Sequence, residues 1–183
     1  MAMPPVDEIR PLRRAEYDRL VELGAFDDER VELLEGWLVE MSPVGPLHSA
    51  TVQRLHTLLV SALGGRAMVF AQSPFAALDT SEPEPDVFAV PVGNYNQAHP
   101  SRAYIVIEVA DHSILRDRLL KRRVYALSGV PEYWIVNLRH RRVEVHRNPV
   151  EDAYQFTETA GVGGVLTLGE FPDVTLAVSD ILG

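Results

Sequence analysis

The chain has 183 residues, 46% hydrophobic and 23% charged, enough for one full core and short for two domains. Its formal net charge of −9 opposes nonspecific adhesion to DNA or anionic membranes, because phosphate contacts need Lys and Arg. The absence of cysteine excludes disulfides and thiolate metal sites, and suits a reducing, cytoplasmic setting. No apolar run approaches the ~20 residues that span a bilayer. Met1–Arg10 is acidic and Pro-containing, without the basic-then-apolar layout of a signal peptide.

Pro11 to Gly24 reads as a short helix, with Tyr17, Leu20, Val21 and Leu23 near helical spacing. Two extended runs, 30–34 and 37–41, flank Glu35-Gly36 and predict a β-hairpin. His48 to Leu63 carries Val52, Leu55, Leu59 and Ala62 on one stripe, an amphipathic helix stopped by Gly64-Gly65. Strand-like runs follow at 67–71, 74–78, 86–90 and 103–109. The last is nearly continuous and β-branched, as a strand buried on both faces should be. Ile114 to Ser128 predicts a helix capped by Ser113 or Asp111 and ended by Gly129 and Pro131. Further strands are expected at 131–136, 141–147 and 153–157, and 171–182 closes with a short strand and a helical turn. With no linker or repeat in view, these elements predict one mixed-sheet α/β domain over 1–183.

Three residues stand out chemically. Asp86 opens a strand after Pro85, and Glu108 lies near the end of the 103–109 strand. If those strands are neighbours, both carboxylates reach one sheet edge and can bind Mg²⁺, which prefers hard oxygen ligands. Such an ion can polarise a phosphodiester and acidify an attacking water. The plain alternative for Asp86 is a turn or cap residue. For Glu108 it is weaker, since a carboxylate in an apolar buried strand is costly unless paired or coordinated. Lys121 is the only lysine in the chain. A position that stays Lys where Arg serves elsewhere suits a compact ammonium, although spacing alone also allows an i,i+4 pair with Asp117 on a solvated helix face. Arg116, Arg118, Arg122 and Arg123 make this helix the most basic stretch and the candidate phosphate-facing surface.

These pieces resemble a known family. Arg30-Val-Glu-Leu-Leu-Glu-Gly36, Met41-Ser-Pro43 before His48, Glu84-Pro-Asp-Val87, Ile107-Glu-Val109, Asp117 with Lys121, Tyr125-Ala126 and Gly129-Val-Pro-Glu-Tyr-Trp134 run in the order of the Uma-type restriction endonucleases of the PD-(D/E)XK nuclease superfamily. The resemblance implies a restriction-endonuclease-like mixed sheet flanked by helices, with an N-terminal helix and hairpin added. It makes Asp86 and Glu108 metal-binding carboxylates, Glu32 a third, and Lys121 the active-site lysine. The superfamily's usual lysine two residues after the acid is absent, position 110 being Ala. His48 can reach the site as donor or base, or be a helix residue without a role, and Gln72 can add polar contacts. The other histidines show no metal-ligand spacing, and His140 and His146 read as surface residues of an Arg-rich hairpin.

The expected function is a Mg²⁺- or Mn²⁺-dependent endonuclease acting on nucleic acid, DNA foremost, with a homodimer as the simplest way to cut both strands. Val174–Leu182 would form that interface or complete the core. One rival is a nuclease-fold binding or regulatory module with little catalysis. A hydrolase of a small phosphodiester is the other.

Overall fold

The computed structural model describes residues 10–111, 115 and 117–183. Helix α1 (Arg14–Glu22) starts where the Glu16 carboxylate reaches back to accept the Arg13 amide at 3.0 Å. Its buried Tyr17 donates from its hydroxyl to the Val31 carbonyl at 2.9 Å and so ties the helix to β1. Strands β1 (Val31–Leu34) and β2 (Trp37–Glu40) form the expected antiparallel hairpin. Its two turn residues, Glu35 and Gly36, have φ of 51° and 84°, the left-handed pair that a tight hairpin turn requires. A side chain at position 36 would also collide with Pro11.

Helix α2 (Pro46–Leu63) begins with proline in its first turn and ends at left-handed Gly64, whose amide bonds the Val60 carbonyl. Its buried face, His48, Thr51, Val52, Leu55, Leu59 and Leu63, follows the helical period. It lies on a six-stranded sheet ordered β3 (Met68–Ala71), β4 (Val87–Val90), β5 (Ile105–Ala110), β6 (Glu132–Asn137), β7 (Arg142–Val150) and β8 (Ala153–Gly161). Every pairing is antiparallel except β5 with β6. That parallel pair needs a crossover. It carries a π-helical turn at Asp117–Lys121 and then α3 (Arg122–Leu127). The hairpin β9 (Val165–Thr167) and β10 (Thr175–Ala177) and a last turn, α4 (Val178–Leu182), complete the elements.

The central strands β4, β5 and β6 are buried throughout. One face packs Ile105, Ile107 and Val109 against α2, and there Val174, Leu176, Val178, Ile181 and Leu182 are also buried. The C-terminal segment therefore completes the core. Arg54 of α2 fastens it by donating to the carbonyls of Ile181 and Leu182. The other face packs Phe88, Val106, Ala110 and Tyr133 with Phe75 and Tyr125.

Three expectations need correction. The run 74–78 is not a strand. Its amides bond irregularly to Pro83, Pro100 and Phe75 carbonyls, and prolines have no N–H to complete a ladder. The helix expected over 114–128 is, in its described part, a π-helical turn followed by α3, and both proposed caps fall at its start, where Ser113 lies outside the described residues. His146 is not a surface residue. It is 2% exposed, stacked on Tyr133 and bonded through Nδ1 to the Thr157 hydroxyl, because α3 covers that stretch of β7. Burial pulls its pKa down to about 4, so it is neutral at physiological pH.

Candidate active site

The start of β4 meets the end of β5, and a cavity of about 90 Å³ opens there. The loop from Met41 to Gly45 forms one wall, and Glu32, His48, Glu84, Asp86, Glu108 and Lys121 line the rest. The five residues singled out as site candidates, Glu32, His48, Asp86, Glu108 and Lys121, thus come together around one space.

Asp86 stands one residue before β4. Its Oδ2 accepts the Val109 amide at 2.8 Å and sits 3.1 Å from His48 Nε2. A carboxylate only accepts, so the imidazole carries its proton on Nε2 in this contact. Among the described residues no donor reaches Asp86 Oδ1. Glu108, 3% exposed, shares the face of Val106 and Ala110 by strand alternation and so turns toward α3. Its Oε1 accepts from the Tyr125 hydroxyl at 2.7 Å and from Lys121 Nζ at 3.1 Å. The same ammonium lies 3.0 Å from Glu32 Oε2, which also accepts the Glu84 amide at 3.2 Å. Lys121 is 5% exposed. One buried cation thus bridges two buried carboxylates, the pairing that makes such burial tolerable.

Among the described residues, no three His, Asp or Glu side chains already stand in a group able to hold a metal ion. The Lys121 ammonium instead takes the place between Glu32 and Glu108. The donors around the cavity are nevertheless hard oxygens, and Asp86 Oδ1 is one that no described residue engages, so the chemistry of the set fits Mg²⁺ or Mn²⁺.

Other candidates fall elsewhere. Gln72 does not line the cavity. It acts through its backbone, whose amide bonds the Pro85 and Asp86 carbonyls from a left-handed φ of 47°. Arg118 pairs with Glu144, and Arg123 with Asp152 and Glu35, so these two are committed to carboxylates rather than held ready for phosphate. Arg116 and His112 lie outside the described residues. Tyr125, which stood in the motif without a role, proves to orient Glu108. Its sequence signal was the spacing of one helical turn from Lys121.

The segment leading into Asp86 is itself unusual. Glu82 bridges Leu33 of β1 and is 4% exposed. Burial first, and the charge of Asp18 second, push its carboxyl up from 4.5 to about 7, against the opposing pull of Arg14. A carboxyl raised in the folded state stabilises the fold fully only below its unfolded value, and that contribution is lost as pH rises through about 7. Glu82→Gln removes the ionisation. Between pH 5 and pH 8 its stability should therefore gain on that of the wild type, by at most about 3 kcal/mol at ~1.4 kcal/mol per pH unit. Urea unfolding at the two pH values checks this, and parallel curves would mean that Glu82 ionises freely.

A helix-flanked mixed sheet with acidic side chains gathered where adjoining strands meet is the architecture of the restriction-endonuclease-like proteins. The chain belongs to the Uma2 family, described as "Putative restriction endonuclease", which matches residues 14–179. A crystal structure from Anabaena variabilis ATCC 29413, described as a putative nuclease belonging to DUF820, is similar in fold. Its TM-score is 0.74 at 16% identity, covering 94% of this chain and 98% of that one. No curated protein matches the chain. Among the described residues no helix is long and apolar enough to cross a membrane.

Proposed function

We propose that the chain is a divalent-metal-dependent nuclease that hydrolyses phosphodiester bonds of nucleic acid, with DNA as the foremost substrate. The observation that carries this reading is the convergence of Asp86, Glu108, Glu32 and Lys121 on one cavity. Asp86 and Glu108, with Glu32, would hold Mg²⁺ or Mn²⁺, which when bound supplies Lewis acidity toward the phosphoryl group and acidifies water. The protein's own groups have separate tasks. Lys121 sets a fixed positive charge at the cavity wall, where negative charge builds on the phosphoryl oxygens during displacement. His48 and the Val109 amide hold one oxygen of Asp86 and leave the other toward the cavity. The Tyr125 hydroxyl fixes Glu108 from beneath.

The purified chain should cleave plasmid or single-stranded DNA with Mg²⁺ or Mn²⁺ and stop when a chelator is added. Cleavage that continues in chelator would remove the metal from this reading. A second reading, a binding or regulatory module, has its own support in the net charge of −9 and in the commitment of Arg118 and Arg123 to carboxylates. Gel shift of DNA without cleavage at saturating Mn²⁺ would select it.

A further inference from the structure

The arginine-rich turn between β6 and β7 has no part in the site as built so far. It sets Arg139, His140, Arg141 and Arg142 in succession, within a chain whose net charge is −9. Its backbone is braced. Asn137, 2% exposed, accepts on Oδ1 from the His140 amide and from His140 Nδ1, both at 3.1 Å, and the Leu138 amide donates to the Ala110 carbonyl at 3.0 Å. Arg139, His140 and Arg141 are exposed on this frame, and Arg142 is half-buried. Sheet register then fixes where the turn lies. Strand β6 runs parallel to β5, so both end at the same edge, beside the cavity that Glu108 and Asp111 line. Ala110 pairs with Asn137, and Asn137 with Arg142, which puts Arg142 two strands from Ala110, about 10 Å at ~4.8 Å per strand. Arg139 comes closer still, its Nε 3.5 Å from Oδ1 of Asp111 on the cavity wall.

Charge decides what this side can hold. Arg118 grips Glu144 through two nitrogens, and Arg142 Nη2 lies 3.4 Å from the same carboxylate, so two cations share one anion. The Arg139–Asp111 pair is exposed at both ends, by 58% and 39%, and pairs of that kind hold weakly and exchange readily for another anion. Arg141 donates to a carbonyl, that of Gly183, rather than to a carboxylate. Four guanidiniums thus stand against two carboxylates here. On the α1 side of the site the balance is the reverse, with Asp18, Glu82 and Glu84 outnumbering Arg14 and Arg30. A phosphodiester strand leaving the cavity is therefore drawn toward the turn and away from α1. The span of about 10 Å matches about three nucleotides at ~3.4 Å of rise each.

We propose that the turn from Arg139 to Arg142 is a phosphate-binding surface that holds the backbone of a nucleic acid within a few nucleotides of the strand position at the cavity. The inference rests on the nuclease reading and adds to it the side on which the substrate lies. Contacts of this kind fix position without reading sequence.

Fluorescence anisotropy of a labelled DNA duplex tests it, measured in chelator so that nothing is cut and at salt between about 50 and 200 mM. Each phosphate contact contributes about 0.9 to the slope of log affinity against log salt. The double variant Arg139→Gln with Arg141→Gln should therefore lower that slope by about two, equally on two unrelated sequences. Arg142 is left in place because it shares Glu144 with Arg118. The lysine pair, Arg139→Lys with Arg141→Lys, keeps the charges and should keep the slope. Arg10→Gln with Arg19→Gln removes as much charge from the exposed surface of α1 and the segment before it, and should leave the slope unchanged. Thermal unfolding verifies that each pair stays folded. A wild-type slope in the glutamine pair would overturn the surface, as would an equal drop in the α1 pair or a wild type that binds no duplex at low salt. Cleavage with Mg²⁺ is scored separately. The expected slopes without cleavage uphold the surface and remove the nuclease reading, whereas cleavage with an unchanged slope in the glutamine pair removes the surface alone.

Discussion

Lys121→Met should abolish cleavage and destabilise the fold by about 3–5 kcal/mol, the usual result of stripping one partner from a buried ion pair. The ammonium is 5% exposed and lies between Glu32 at 1% and Glu108 at 3%. Methionine fills the same slender space without charge, so the loss reports electrostatics rather than a cavity. Two carboxylates would then face each other with Tyr125 and the Glu84 amide as their remaining named donors. A divalent cation is the natural replacement. Added Mn²⁺ should raise the variant's unfolding temperature, with about 1.4 kcal/mol gained for each tenfold excess over the dissociation constant. Thermal unfolding of both proteins with and without Mn²⁺ measures this. A variant as stable as the wild type in metal-free buffer would show that the ammonium does not hold the carboxylates together.

The second large effect belongs to Asp86. Asp86→Asn preserves shape, and its side-chain oxygen can still accept from Val109 and His48, so stability should change by less than about 1 kcal/mol. The full negative charge is lost, and with it the hold on a cation. Cleavage should fall by about 100- to 1000-fold, the scale seen when one preorganised electrostatic contact to the transition state is removed. Calorimetric titration gives an independent reading, with Mn²⁺ heat in the wild type and little in the variant. Cleavage within tenfold of wild type would take Asp86 out of the mechanism.

Much of this arrangement can be read before any coordinates. The β-branched run ending in Glu108 announces a buried strand with a charge that must be paired, and Glu35-Gly36 announces the hairpin. The only lysine in an arginine-rich chain marks itself. What resists reading is whatever depends on docking. Glu32 sits in a short hairpin whose own pattern does not say which face is covered, and it is buried where the hairpin meets the 81–84 segment and Lys121. Two local composition signals also mislead. His146 lies among arginines and reads as exposed, yet α3 covers it. The 74–78 run has strand composition but faces proline-rich neighbours that cannot return hydrogen bonds. The π-helical turn before α3 has no composition signal at all. Its wider winding is common at functional sites, and here it ends at Lys121.

The hairpin's position outside the six-stranded sheet also bears on how the molecule assembles. Contacts at the site join residues 13 apart for Lys121 and Glu108, but 52 apart for Glu32 and Glu84. Closing the longer loop is slower and is rewarded only once the sheet exists to receive the hairpin. The cluster is therefore expected to close late, when the hairpin that carries Glu32 seats against Lys121. Lys121→Met should then leave the refolding rate almost untouched and appear nearly whole in faster unfolding. The ion bridge would act as a latch on the finished fold, setting how long the native state lasts rather than how quickly it is reached.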